Sequence, residues 1–233
     1  MSEPSSKPRG LTRRGLFRSI GTATIVAGCV KQDPPSQTPD NSLAPASDGA
    51  FGREPATLEF VLDGQPIKAE VEARTTLLEL LRLDLDQSGT KVVCDRGACG
   101  ACTVLVDKLP RNSCMLLAHD VAGAEVTTVA GLAQSDALSP LQQAFVEHDA
   151  LQCGFCTSGM LMSSTALLDR HRASGGKPLT REQVADAIAG NLCRCGTYPH
   201  VIDAVLSVAN PESSKGFKPR HGTELIRVRK AGA

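Results

Sequence analysis

Aromatic side chains are scarce in this sequence, with no Trp, one Tyr and six Phe among 233 residues. That leaves few platforms on which bases could stack. The formal charge is zero, but its distribution is uneven. Residues 1–18 carry five basic and one acidic side chain, and residues 212–233 carry six and two, so each end is +4 and the body between is −8. An acidic body without stacking aromatics excludes nucleic acid as a partner. Also missing are a nucleotide-binding glycine fingerprint, an HExxH pair and any credible nucleophile–base pairing. No substrate chemistry belongs to this chain. The histidines His119, His148, His171, His200 and His221 are scattered and read as surface or core residues rather than ligands.

Cysteine is what the chain has in quantity, nine in all. Cys94, Cys99, Cys102 and Cys114 form one group, Cys153, Cys156, Cys193 and Cys195 a second, and Cys29 stands alone. In an exported chain an even count, such as the eight grouped cysteines, would ordinarily suggest a disulfide framework, so spacing must decide between disulfides and metal.

The N-terminus reads as a targeting segment over residues 1–30. Thr12-Arg13-Arg14-Gly15-Leu16-Phe17-Arg18 followed by the mildly apolar Ile20–Val30 resembles a twin-arginine export signal, with the Leu16-Phe17 order and Arg18 as departures from its consensus. The apolar stretch is too short to span a bilayer permanently. Val26-Ala27-Gly28-Cys29 also resembles a lipobox, which would make Cys29 a lipid anchor. The rival reading is a plain signal peptide cleaved later, for example after Ala46. Residues 31–56, with Pro34, Pro35, Pro39, Pro45 and Pro55 among small polar residues, have no periodicity that could bury a face and read as an extended linker.

The folded part splits by pattern. Thr57–Leu62 and Ile67–Val71 alternate around Asp63-Gly64-Gln65-Pro66, which predicts a hairpin. Thr76–Leu83 places leucines on a helical stripe capped by Thr75 or Thr76, and Thr103–Asp107, Ser113–Leu117 and Val126–Val129 read as strands. Strands, one helix and more strands predict a mixed sheet crossed by a helix over residues 57–131. Beyond it, Pro140–His148, Met160–Arg172, Glu182–Ala189 and Val201–Val208 have helical spacing, with Ser139 and Thr180 as N-caps. They predict a four-helix bundle over 132–211, followed by a basic tail over 212–233. The fold class is α+β.

The first cysteine group has the plant-type spacing of 2Fe-2S ferredoxins: Cys94-x4-Cys99-x2-Cys102, then Cys114 after eleven further residues. A loop wrapped around an anionic cluster must turn backbone N–H groups inward, and Gly97 and Gly100 permit the positive φ and close approach this requires. Arg96 and Lys91 are candidates to offset the cluster's charge, or simply solvated cations. Zinc is the competitor, but structural zinc sites generally use paired short knuckles, unlike three cysteines in one loop and a fourth far along the chain. In the second group, Cys153-Gly-Phe-Cys156 opens one predicted helix and Cys193-Arg-Cys195 precedes another, so two positive helix ends are expected at one place. Cys-x-Cys is too short for a usual zinc knuckle or a relaxed disulfide. A thioredoxin-like role for Cys153 and Cys156 lacks its βαβ setting.

Cys94–Cys102, Gln152-Cys-Gly-Phe-Cys156 and Gly190-Asn-Leu-Cys-Arg-Cys-Gly-Thr-Tyr198 together resemble the small iron-sulfur subunit of molybdenum hydroxylases, the xanthine dehydrogenase and aldehyde oxidoreductase family. The likeness covers about residues 57–209 and includes all eight cysteines in order. It implies a β-grasp ferredoxin-like domain followed by a four-helix domain, each with one 2Fe-2S cluster. Cys94, Cys99, Cys102 and Cys114 would hold the cluster farther from molybdenum, and Cys153, Cys156, Cys193 and Cys195 the nearer one. Gln152 would contact the pterin of the molybdenum cofactor. Its alternative reading, from the residues alone, is a cap or a solvated loop side chain. Gly196-Thr197-Tyr198 departs from the Thr-Gly-Tyr of many relatives and is similar to bacterial multi-subunit forms.

The expected function is therefore electron relay from a molybdenum-cofactor large subunit, hydroxylating an aldehyde or N-heterocycle, through two clusters to an FAD subunit, a cytochrome or a quinone-linked carrier. A twin-arginine signal fits, since that route exports folded, cofactor-loaded proteins to the periplasm. Two rival readings are a freestanding two-cluster ferredoxin and an exported binding protein stapled by zinc or disulfides.

Overall fold

A computed structural model of the chain describes residue 52 and residues 54–133, 137–175 and 177–211. The signal segment, Cys29, His221 and the basic tail lie outside the described residues, as does most of the linker.

The first half is a mixed five-stranded sheet with one helix across it. Strand β1 (Ala56–Leu62) and β2 (Gln65–Val71) form the predicted hairpin, turning on Asp63 and Gly64 at φ 49° and 79°. Two consecutive positive φ values give the turn the twist of its strands, so Asp-Gly suits the place. The Asp63 carboxylate also accepts hydrogen bonds from the N–H (2.6 Å) and hydroxyl (2.7 Å) of Thr128, tying the turn to the chain just after the strand next to β1. Helix α1 begins at Leu77–Glu79 and continues as a wider π-type turn over Leu80–Asp84. Thr76 caps it in a reciprocal box with Glu79.

Strands β3 (Thr103–Val106), β4 (Leu109–Asn112) and β5 (Glu125–Thr127) complete the sheet in the order β2-β1-β5-β3-β4, with β1 parallel to β5 and the other pairs antiparallel. Two expectations need correction. Leu109–Asn112 is a strand that the pattern did not predict, because its turn is Asp107-Lys108, without glycine, and Pro110 lies within it. β4 is an edge strand, where a missing N–H faces no neighbour. Conversely, Ser113–Leu117 is not a strand. Ser113–Met115 forms a 3-10 turn, and Leu117 makes only an isolated bridge to Thr76. The tight turn buries Cys114 beside Leu78 and Cys102.

The second half has helices α2 (Pro140–Glu147), α3 (Thr157–Ser174), α4 (Arg181–Ala187) and α5 (Tyr198–Ala209). Ser139 and Thr180 cap α2 and α4 in the predicted way, each in a reciprocal box with the glutamine three residues on. α3 stops at Gly175, which takes the left-handed conformation at φ 57°. These helices close over a core that includes Phe145, Met160, Val184, Ile188 and Val201. The sheet and α1 enclose a separate core around Leu58, Phe60, Leu80, Val104 and Val126. The cores are joined where Leu105 of β3 packs on Met162 and Ala166 of α3. Among the described residues, no helix is long and apolar enough to cross a membrane.

Candidate metal centres

The first four cysteines converge from a loop and a turn. Cys94, Cys99 and Cys102 lie in the loop before β3, and the 3-10 turn after β4 brings in Cys114. Gly97 and Gly100 adopt φ 72° and 67°, as the wrapping argument requires. The Gly97 N–H points at Cys114 Sγ (3.3 Å), a backbone donor aimed at a sulfur. Cys99 lies close enough to Cys94, and Cys102 and Cys94 close enough to Cys114, to alter their ionisation, so the four sulfurs face one place. The electrostatics are asymmetric. N–H groups of Arg96, Ala98 and Cys99, with the Cys99 thiol, hold Cys94 at about 7, whereas burial pushes Cys114 up to about 11. Arg96 and Lys91 serve carbonyls of their own loop, Cys94 O (3.0 Å) and Ser88 O (2.8 Å), not the sulfurs.

The other four converge from two loop–helix junctions, as the helix-end argument expects. Cys156 is the N-cap of α3, and Cys193 and Cys195 precede Thr197, the N-cap of α5. Cys195 Sγ stands 3.6 Å from Cys153 Sγ, and Cys193 and Cys153 lie close enough to Cys156 to alter its ionisation. Burial pushes Cys156 up to about 12. Burial also acts to raise Cys193, but the hydroxyl and N–H of Thr197 outweigh it and bring that thiol to about 7. Cys153 and Cys195 are exposed, and Gln152 beside them is exposed too.

All eight cysteines are free thiols, so no disulfide staples this part of the chain. Among the described residues, no group of three or more His, Cys, Asp or Glu side chains closes on a point that one metal ion could occupy. Four thiols per group, with backbone N–H groups turned toward them, are the donor set a 2Fe-2S cluster needs, and the residues present fit one at each place. Coordination requires every ligating thiol to lose its proton, and the low-lying Cys94 and Cys193 offer one readily ionised sulfur per group. Among the described histidines, His119 bonds Val71 O (3.2 Å), and His200 bonds His148 O (3.0 Å).

The sequence reading missed the residues that brace the second group. Tyr198, the chain's lone tyrosine, accepts a hydrogen bond from the Cys193 N–H (2.8 Å) and donates to Asn191 O (3.1 Å). Asn191 is buried at 3% exposure, as is Thr197 at 1%. A solitary Tyr three residues past the last cysteine was the available signal. Asn191 lies in the Gly190–Tyr198 stretch that carries the family resemblance, but no local pattern gave it a structural role.

Two-cluster iron-sulfur chemistry is the class that fold and site define, and comparison with known proteins agrees. A 2Fe-2S iron-sulfur cluster binding domain matches residues 60–132, and a [2Fe-2S] binding domain matches residues 128–206. The aldehyde oxidoreductase iron-sulfur-binding subunit PaoA of Escherichia coli O157:H7 is 40% identical over 214 residues, covering 85% of this chain and 88% of that one. The nicotine 6-hydroxylase small subunit of Paenarthrobacter nicotinovorans is 42% identical over 158 residues, covering 68% and 92%. Among solved structures, quinoline 2-oxidoreductase from Pseudomonas putida 86 superposes with a TM-score of 0.64 at 38% identity, covering 70% of this chain and 97% of that one. The chain belongs to the iron-sulfur subunits of the molybdenum hydroxylase family.

Proposed function

We propose that Cys94, Cys99, Cys102 and Cys114 hold an outer 2Fe-2S cluster and that Cys153, Cys156, Cys193 and Cys195 hold an inner one. When bound, each cluster supplies a one-electron carrier, so electrons taken singly from the molybdenum cofactor of a large partner subunit travel inward to outward and on to an acceptor. The observation that carries this reading is the gathering of eight thiols into two groups of four.

The chain's own surfaces support the direction. Around the exposed Cys153 and Cys195 stand the exposed Leu151, Phe155 and Leu192, an apolar rim of the kind a partner covers. Gln152 lies on this rim and is assigned to the pterin of the partner's cofactor. At the outer group, Val92, Val93 and Met115 are exposed beside Cys94, giving the acceptor a separate place to dock. That acceptor is an FAD subunit or a cytochrome. The substrate is an aldehyde or an N-heterocycle, the two classes that the relatives' names carry. In finer architecture the sheet half is a β-grasp and the helical half a four-helix bundle, with their boundary near residue 131. The N-terminal segment sends the assembled protein to the periplasm by the twin-arginine route, with Cys29 as a lipid anchor or cleavage after Ala46.

The test is purification of the full chain with whatever subunits accompany it. The expected result is about four irons and four acid-labile sulfides per chain, two separable EPR signals on stepwise reduction, and a copurifying molybdopterin protein. A colourless chain containing zinc refutes the cluster assignment. A brown chain that never associates with a molybdopterin subunit refutes the relay in favour of a freestanding ferredoxin.

A further inference from the structure

The two ligand loops touch. The N–H of Leu192, the residue before Cys193, donates to the carbonyl of Cys99 at 2.9 Å. A single hydrogen bond therefore links a residue of the outer group to the chain neighbour of a residue of the inner group, with covalent bonds on either side. Beside it, Asn191 Nδ2 donates to Gly100 O (2.8 Å), and Asn191 Oδ1 accepts from the Ser163 hydroxyl on α3 (2.8 Å). The Asn191 N–H is satisfied by Ile188 O (2.9 Å) and its carbonyl by Tyr198. Ser158 adds a second tie, donating to Ala101 O (3.2 Å).

Packing at this seam leaves no slack. A Cβ on Gly159 of α3 would lie 2.0 Å from Gly100 O, and one on Gly100 would lie 2.5 Å from Gly190 O and 2.6 Å from Asn191 Nδ2. Bare backbone on both sides lets the loops approach, and the Asn191 amide then sets their register. Only an amide fits there. It accepts from Ser163 with its oxygen and donates to Gly100 with its nitrogen, whereas a carboxylate would turn a second acceptor toward a carbonyl.

We propose that Asn191 is a positioning residue for electron transfer between the two clusters: by clamping Gly100 to α3 it holds the Leu192 N–H on the Cys99 carbonyl, the contact through which the inner and outer centres communicate. The inference rests on the two-cluster assignment above. With both clusters bound, Asn191 would hold the path along which one electron would pass from the inner centre, oxidised by its loss, to the outer centre, reduced by its gain. No bond or proton moves.

The test compares unmodified full-length, cluster-loaded chain with Asn191→Asp and the milder Ser163→Ala. Three readouts apply: iron content with both EPR signals, hydrogen exchange of the Leu192 amide, and the rate of electron equilibration between the centres after rapid one-electron reduction. In Asn191→Asp both clusters load, Leu192 protection falls about tenfold, as for the loss of roughly one hydrogen bond, and inter-centre equilibration slows. Ser163→Ala shifts both in the same direction by less, and it carries the test alone if Asn191→Asp fails to accumulate. Fully loaded variants with an unchanged inter-centre rate, whether or not Leu192 exchange changes, overturn the proposal. Lack of iron in the unmodified chain would instead overturn the cluster assignment.

Discussion

The seam between the halves can be weighed by adding one methyl group at each of three glycines. Gly64 has φ 79° and open space around its missing Cβ, so Gly64→Ala measures the left-handed backbone alone, about 1–2 kcal/mol. Gly159 lies within α3, where alanine is favoured over glycine by about 1 kcal/mol. Its added Cβ would stand 2.0 Å from Gly100 O, which is backbone and cannot swing aside. Overpacking of that kind costs about 1–3 kcal/mol, and separating the seam also weakens the Asn191–Gly100 hydrogen bond by about 1 kcal/mol. Gly159→Ala is thus expected to be destabilising by about 1–3 kcal/mol despite its better helix propensity. Gly100→Ala combines φ 67° with the clash and should be the worst of the three, at about 3–5 kcal/mol, a large share of the roughly 5–15 kcal/mol that holds a domain together. The assay is urea unfolding of the cluster-loaded chain, followed in parallel by far-UV circular dichroism and visible absorption, with midpoints compared at constant m. The ordering Gly100, then Gly159, then Gly64 is the claim at stake if Gly159→Ala proves as stable as the parent.

Other expectations follow from the same geometry. Tyr198→Phe removes the hydroxyl that serves both Cys193 N–H and Asn191 O; it should lower stability by about 1–3 kcal/mol and speed loss of the inner EPR signal while the outer one persists. Equal loss of both signals would contradict that local role. His148 is held below its ordinary 6.5 by burial, opposed by the charges of Asp203 and Glu147. The folded state therefore binds fewer protons than the unfolded one, and stability should fall as pH drops below about 6.5. Replacing His148 with Gln should flatten that part of the urea-midpoint profile, and an unaltered slope would assign the acid sensitivity to other groups.

Elements whose cause is local were legible in the sequence. Asp63-Gly64 specifies its turn through backbone sterics, and Ser139 and Thr180 specify helix starts because their partners are three residues away. The cysteine spacing likewise marked two groups of four thiols, the first with the stride of an iron-sulfur loop. Other features depended on neighbours distant in the chain. β4 hid behind Pro110 because only its place at the sheet edge makes a proline tolerable there. Ser113–Leu117 has the composition of a strand, yet it turns sharply to bury Cys114 against Cys102 and Leu78.

By itself, then, the sequence determined how the thiols are grouped, because each group is assembled mostly from short loops that carry two or three cysteines each. Tertiary structure alone decided how the groups face each other. Asn191 meets Gly100 across 91 positions, and Leu192 meets the Cys99 carbonyl, because bare glycine backbone on β3's entry loop and on α3 lets two separately packed halves close to hydrogen-bonding distance. No periodicity or spacing encodes that contact, since it exists only once both cores are packed.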